Sequence, residues 1–94
     1  MWKILISKKA LGELAKTPAH IQRKFNDIFL SKAEVKNPFE PADLGARMEK
    51  LHGVVDCYKV RIGEYRVGIY LDKKQNQLKV AAVIHRGRDY KSFP

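Results

Sequence analysis

The stretch that decides the fold runs from Tyr58 to Leu71 and reads YKVRIGEYRVGIYL. Its apolar and polar residues alternate on either side of Gly63-Glu64, which is the pattern of two strands joined by a two-residue turn with glycine first. Such a turn sets Ile62 opposite Tyr65, and in every other facing pair the two residue numbers also sum to 127. One face of this hairpin is therefore apolar and comprises Tyr58, Val60, Ile62, Tyr65, Val67 and Ile69.

The other face of the hairpin is basic. It carries Lys59, Arg61 and Arg66, and the predicted turn places Arg61 directly opposite Arg66. Like charges in facing positions destabilise a hairpin by a few tenths of a kcal/mol up to about 1 kcal/mol. Because the sheet gains nothing from this arrangement, we interpret the basic cluster as a site built for an anion.

Composition limits the possible classes of protein. The chain has 94 residues, 45% hydrophobic and 31% charged, which is typical of a single soluble domain over residues 1–94. Its formal net charge of +9 favours a polyanion or an acidic protein as partner. No apolar run approaches the roughly 18 residues of a membrane span, and no signal-peptide pattern is present. The single cysteine, Cys57, excludes an internal disulfide and indicates a reducing compartment, so we expect a cytoplasmic protein without a membrane partner.

The first third of the chain predicts a strand and two helices. Residues 2–6 are nearly all apolar, which predicts a strand covered on both faces. Ser7 is expected to cap a helix over residues 8–16. Thr17-Pro18 repeats the signal, a capping hydroxyl followed by proline at the first helical position, and predicts a second helix from Pro18 to about Val35. The expected buried residues are Leu11, Leu14 and Ala15 in the first helix and Ile21, Phe25, Ile28 and Phe29 in the second.

The last third of the chain predicts one more strand on the hairpin. Residues 72–77 form a polar turn, and residues 78–85 (LKVAAVIH) form the final strand. The expected facing pairs are Leu71–Leu78, Ile69–Val80, Val67–Ala82 and Tyr65–Ile84. A short strand over 48–51 is also possible. The order β-α-α-β-β-β predicts an α+β fold, in which an N-terminal strand and a helical hairpin pack on a mainly antiparallel β-sheet.

This register predicts a shallow cationic groove on the sheet face opposite the helices. The side chains expected on that face are Lys59, Arg61, Arg66, Tyr70, Lys79 and His85. Gly68 and Ala81 leave room between them. Small residues surrounded by basic ones suit a polyanion that lies along the sheet.

Such a groove has the groups that RNA cleavage requires. When a 2′-hydroxyl attacks the adjacent phosphorus, cations stabilise the charge on the phosphoryl oxygens and two protons must move. Arg86 leaves the last strand at the end where the Gly63-Glu64 turn lies, so we expect it near Arg61 and Arg66. Tyr90 is a candidate base or stacking surface, and His85 is a candidate because imidazole titrates near neutrality. No metal-ligand spacing, phosphate-binding loop or pair of carboxylates occurs in this groove, so we expect neither a metal nor another cofactor.

These motifs resemble the RelE/ParE superfamily, the toxins of bacterial type II toxin–antitoxin systems. The resemblance extends over nearly the whole chain and is most specific in the strings YKVRIGEYRV at 58–67 and HRGRDY at 85–90. RelE-type members cut messenger RNA in the ribosomal A site without metal, by attack of the 2′-hydroxyl. The resemblance therefore implies an endoribonuclease toxin that inhibits translation, with the ribosome and mRNA as partners.

The resemblance also implies roles for individual residues. Lys59 and Arg61 would hold the phosphate, Arg66 would stabilise the transition state, and Arg86 would assist the leaving group, with Tyr90 as the base. Arg61 stands where some RelE proteins carry lysine, and because arginine stays protonated it binds charge but cannot act as a base. The residues expected to contact RNA are Lys59, Arg61, Arg66, Lys79, His85 and Arg88.

Two other functions remain open on the sequence. ParE-type members share the fold but inhibit DNA gyrase, and they generally lack the full catalytic set that this chain retains. A family member that binds RNA without cutting it is the third possibility. In both toxin branches an antitoxin wraps the toxin with an extended, often acidic segment. We therefore expect a cognate antitoxin, a monomeric free toxin and a toxin–antitoxin hetero-oligomer.

Overall fold

One mixed sheet, with helices on one of its faces, organises the molecule. The computed structural model describes residues 2–31, 34–39, 44 and 47–87. The elements are β1 (Trp2–Ile6), α1 (Lys8–Ala15), α2 (Ala19–Phe25), a π-helical turn (Asn26–Leu30), β2 (Glu34–Val35), β3 (Met48–Lys50), β4 (Cys57–Ile62), β5 (Tyr65–Asp72) and β6 (Gln77–His85). The described strands follow the order β2-β1-β6-β5-β4-β3 and pair antiparallel, except that β1 runs parallel to β6. The predicted α+β class is confirmed, with β2 and β3 added at the two edges.

The β4–β5 hairpin has the predicted register along its whole length. Ile62 faces Tyr65, Arg61 faces Arg66, and the pattern continues to the other end of the hairpin. Gly63 begins the two-residue turn with a φ of 57°, a left-handed conformation that side chains disfavour. A Cβ on Gly63 would also lie 2.9 Å from the Cδ1 atom of Ile21. The turn therefore needs glycine both for its backbone and for helix packing.

The β5–β6 hairpin follows the predicted register only halfway. Pairing is regular up to Ile69 and Val80, and then Ala81 is an extra residue, so that Gly68 faces Ala82. Such a β-bulge changes which side chains share a face beyond it. The predicted pairs Val67–Ala82 and Tyr65–Ile84 are therefore wrong. Tyr65 instead faces His85.

Helix α1 supplies hydrogen-bond partners to the bulge. The Ser7 hydroxyl donates to the carbonyl oxygen of Ala81 at 3.3 Å, and a carboxylate oxygen of Glu13 accepts from the backbone N–H of Val83 at 3.0 Å. The same Ser7 oxygen accepts from the N–H of Ala10 at 3.0 Å, which confirms the predicted helix cap. The start of α1 and the bulge in β6 are thus tied together.

The residues at which the helices begin and end differ from the predicted ones. The Thr17 hydroxyl donates back to the carbonyl oxygen of Leu14 at 2.7 Å, so it does not cap α2, which begins after Pro18. The α-helical part ends at Phe25 instead of continuing to 35. Residues Glu34–Val35 form a strand because they pair with β1.

Fewer residues are buried than the sequence predicted. In α1 the buried residues are Ala10 and Leu14, whereas Leu11 is 47% exposed and Ala15 is exposed. Strand β1 alternates between half-buried and exposed residues, so it is covered on one face only. The main core lies between the helices and the sheet and includes Ile21, Phe25, Phe29, Val60, Ile62, Val67, Ile69, Leu71, Leu78 and Val80. In the part of the chain that the structure describes, every helix is too short or too polar to cross a bilayer.

Candidate nucleic-acid interface

The sheet face that the helices leave uncovered gathers cations at the end where the Gly63-Glu64 turn lies. Arg61 on β4 directly faces Arg66 on β5, as predicted. Lys59, which lies two residues before Arg61 in β4, faces Gly68, which has no side chain. Gly68 itself is buried, and on its other side it faces Ala82 of β6.

Arg86 lies where the sequence placed it, beside the turn. Its backbone N–H donates to the carbonyl oxygen of Glu64 at 2.7 Å, and its Nη2 atom lies 3.6 Å from a carboxylate oxygen of Glu64. Because of the bulge, Ile84 faces Arg66. Side chains alternate along a strand, so Arg86 leaves β6 on the side of Arg66. Arg86 therefore lies, paired with Glu64, at the end of the sheet where Arg61 and Arg66 face each other.

The carboxylate of Glu49, which was not predicted from the sequence, lies beside two of these cations. Glu49 on β3 faces Lys59. Its two oxygens lie 3.7 Å from Lys59 Nζ and 3.1 Å from Arg61 Nε. Such partly exposed ion pairs are worth about 0–1 kcal/mol. Their geometry marks the position of a negative charge between two cations. The sequence offered only the possible short strand over 48–51, which contains Glu49 but does not reveal that it faces Lys59.

Arg66 differs from its neighbours in its partners. Its guanidinium donates to the carbonyl oxygen of Tyr65, at a long 3.4 Å, and the side chain is half-buried. Among the residues that the structure describes, no carboxylate pairs with Arg66. Its charge is therefore less compensated than those of Lys59, Arg61 and Arg86, which lie beside carboxylates.

His85 does not lie on the groove face, so that prediction is wrong. Its ring packs edge-on against Tyr65 with centroids 5.1 Å apart, on the helix side of the sheet. Its Nδ1 atom accepts from the N–H of Gly87 at 3.2 Å, and its Nε2 atom lies 3.5 Å from a carboxylate oxygen of Glu64. The extra residue in β6 is the physical cause of this change of face.

The remaining predicted residues lie apart from the cation cluster or outside the described chain. Lys79 is on the predicted face, but it faces Tyr70, about 13 Å along β5 from Arg66. Its Nζ atom lies 3.7 Å from a carboxylate oxygen of Asp72. Arg88 and Tyr90 fall outside the described residues.

Cys57 lies on the same face in a small apolar cluster with Ala82 and Ile84. Burial, followed by the neighbouring carboxylate of Asp56, raises the pKa of its thiol. A protonated, buried thiol is a poor nucleophile. Its surroundings indicate a packing role.

Comparison with known proteins finds likenesses over the whole chain. A family model described as "ParE toxin of type II toxin-antitoxin system, parDE" matches residues 4–90. Toxin RelE3 of Methanocaldococcus jannaschii is 29% identical over 92 residues, which cover 98% of this chain and 99% of the relative. A chain from the RelB-RelE antitoxin-toxin complex of Methanococcus jannaschii shares the fold with a TM-score of 0.71, at 24% identity, covering 96% of this chain and 99% of that one. A chain from the archaeal RelE-RelB complex of Pyrococcus horikoshii OT3 has a TM-score of 0.64 and 28% identity, and the match covers 94% of this chain and 98% of that one.

Proposed function

Because the chain belongs to the ParE toxin family of type II toxin–antitoxin systems, we propose that it is a metal-independent endoribonuclease. Its substrate is messenger RNA in the ribosomal A site, cut by attack of the 2′-hydroxyl in the cytoplasm, and the result is inhibition of translation. The likeness to Toxin RelE3 supports this branch of the family. The arrangement of cations supports the chemistry.

The observation that carries the proposal is the facing pair Arg61 and Arg66, with Arg86 beside the turn one strand away. Two guanidinium groups held together repel each other unless an anion lies between them. Arginine matches phosphate oxygens with two parallel hydrogen bonds. One donor aimed at a developing charge is worth about 3–4 kcal/mol in a transition state.

In this mechanism Lys59 and Arg61 hold the scissile phosphate, and Arg66 stabilises the charge that builds on its oxygens. Arg86 assists the leaving oxygen, and Tyr90 takes the proton of the 2′-hydroxyl. The carboxylate of Glu49 holds Lys59 and Arg61 in place when no RNA is bound. Because those ion pairs are partly exposed and weak, a phosphate can replace Glu49 at little cost.

We also propose a cognate antitoxin as the cellular partner. The two archaeal structures described above are complexes of RelE with RelB. The net charge of +9 favours an acidic antitoxin segment through long-range attraction. The free toxin is a monomer in this proposal, and the stored form is a hetero-oligomer with the antitoxin.

The test replaces Arg66 or Arg86 by alanine and maps the 5′ ends of messenger RNA on programmed ribosomes. Cutting should fall by about 100-fold or more, since each change removes a donor used in the transition state. Lys74→Ala is the matched control, because it removes the same charge from an exposed turn at the other end of β5. Circular dichroism checks that all three variants are folded.

Full cutting and full growth arrest by both arginine variants would remove the nuclease proposal. The description of the matching family model favours a second candidate, inhibition of DNA gyrase. That function predicts loss of DNA supercoiling by purified gyrase and DNA-damage signalling before translation stops. A protein that binds RNA with strong salt dependence yet neither cuts it nor arrests growth would be the non-cutting member of the family.

A further inference from the structure

A cleft separate from the groove opens between the helix layer and the end of β4. Its volume is about 290 Å³, close to the lower end of the roughly 300–1,000 Å³ of small-ligand sites. The lining residues are Lys24, Asp27, Ile28, Arg47, Arg61, Ile62 and Gly63. Arg61 lines this cleft and also faces Arg66 in the groove, so the two sites share a wall.

Three of the four charged side chains that line the cleft have no ion-pair partner. Lys24, Asp27 and Arg47 are all exposed, and within the described ranges none of them forms an ion pair. These two cations and one carboxylate thus line the same space, together with Arg61, which pairs with Glu49. Charges arranged in this way are available to a ligand that has both an anion and hydrogen-bond donors.

The backbone beside the cleft is also unusual. The turn Asn26–Leu30 is π-helical, and the N–H of Ser31 donates to the carbonyl oxygen of Asn26 at 2.8 Å. Such turns are rare and occur frequently at functional sites. Asp27 and Ile28 are adjacent in this turn and both line the cleft. Phe29, buried in the core, fixes the turn from the other side.

Part of the cleft lining is apolar. Ile28 is half-buried and Gly63, which has no side chain, is exposed, whereas Ile62 beneath them is buried. An accessible apolar side chain can cover the face of a nucleobase. The cations at the rim suit a phosphate, and the carboxylate can only accept hydrogen bonds.

We propose that this cleft is a nucleotide subsite for single-stranded RNA next to the scissile phosphate, in which Asp27 reads the base. The proposal rests on the RNA-directed function above. Lys24 and Arg47 bind a backbone phosphate, and the base lies on Ile28 beside Gly63. A carboxylate with two oxygens pairs best with two adjacent N–H donors, which guanine presents on its Watson–Crick edge. An acidic protein segment fits less well, because Asp27 repels it.

The first experiment measures binding without cleavage. Guanosine 5′-monophosphate and inosine 5′-monophosphate, which lacks the 2-amino group, are titrated into the full chain and followed by NMR. We expect shifts at Ile28, Ile62 and Gly63, and about tenfold tighter binding of the guanosine nucleotide, as when a hydrogen bond to a charged group is lost. Asp27→Asn should abolish that preference while binding persists.

Charge variants separate base reading from phosphate binding. Replacing both Lys24 and Arg47 by alanine should weaken both nucleotides equally and reduce the salt dependence of binding. The double variant Lys8→Ala and Lys74→Ala removes the same number of charges at exposed positions away from the cleft and should leave binding unchanged.

Equal affinity of the two nucleotides for the unaltered chain, or the absence of shifts at the cleft, would overturn the proposal. So would a poly-glutamate peptide that binds this cleft more tightly than either nucleotide, since the cleft would then serve a protein partner. Failure of the nuclease proposal is a separate result. In that case the chain cuts no RNA, yet the Asp27-dependent preference for guanosine is still measured.

Discussion

The β4–β5 and β5–β6 hairpins share a strand, yet one is a regular ladder and the other contains a bulge. In the first, a two-residue turn beginning with Gly63 sets every facing pair. In the second, the turn after Asp72 sets the pairing only as far as Ile69 and Val80. Beyond that point Glu13, 70 residues away in sequence, binds the backbone of Val83. The orientation of Arg86 and His85 therefore depends on a tertiary contact as well as on the turn.

Gly63→Ala should disturb the first hairpin most. Alanine at a φ of 57° costs about 1–2 kcal/mol, and its Cβ would press on Ile21 at 2.9 Å, so we expect the free energy of unfolding to fall by about 2–4 kcal/mol. Urea denaturation measures the change. Gly12→Ala is the control, because its Cβ meets nothing within 4 Å in the exposed middle of α1. That variant should gain about 0.5–1 kcal/mol. A loss below about 1 kcal/mol at Gly63 would contradict the cost that the φ of 57° and the contact with Ile21 assign to a Cβ in this turn.

Glu13→Ala should disturb the second hairpin alone. It leaves the N–H of Val83 without its acceptor, which costs about 1–3 kcal/mol of unfolding free energy. Hydrogen exchange of the Val83 amide should become faster while exchange in β4 is less affected. RNA cutting should also fall, because Arg86 loses its fixed position.

Glu13→Gln keeps an oxygen that can accept the same hydrogen bond, so it should restore slow exchange and most of the cutting. If alanine and glutamine behaved alike, the carboxylate charge, and not the hydrogen bond, would be what orders the end of β6.

Glu49→Gln should have the smallest effect on stability, below about 1 kcal/mol, because it removes only partly exposed ion pairs from the edge of the first hairpin. Affinity for a short 2′-O-methyl RNA should rise by roughly fivefold at low salt, the equivalent of about 1 kcal/mol. Fluorescence anisotropy measures the affinity. Weaker binding would instead mean that Glu49 is needed to orient Lys59 and Arg61.

The sequence predicted those parts of the fold that depend on residues close together in the chain. The alternation from Tyr58 to Leu71 and the glycine at 63 contain the whole β4–β5 register. His85 was assigned to the wrong face because nothing between 77 and 85 reveals the extra residue Ala81, whose carbonyl binds Ser7, or the hydrogen bond from Val83 to Glu13. The second helix was predicted too long for a related reason, since Glu34–Val35 becomes a strand only by pairing with β1.

The residues of the candidate site also divide into those placed by nearby residues and those placed by distant ones. Arg61 and Arg66 were predicted to face each other because both belong to the local hairpin. Glu49 was missed because the three-residue strand that contains it has too few positions to reveal its register with β4. The cleft around Asp27 was missed because its walls come from separate segments of the chain and from a π-helical turn, which has no recognised pattern in sequence.

The position of β6 has a consequence for folding. It follows the other described strands in sequence, yet it lies in the middle of the sheet, between β1 and β5. Closing that gap joins distant parts of the chain, a topology of high contact order that folds slowly compared with local hairpins. A nascent polypeptide without β6 contains two partial sheets with open edges, β2–β1 and β5–β4–β3. Arg61 and Arg66 already face each other in the local β4–β5 hairpin, whereas Arg86 reaches the Gly63-Glu64 turn only when β6 inserts between β1 and β5.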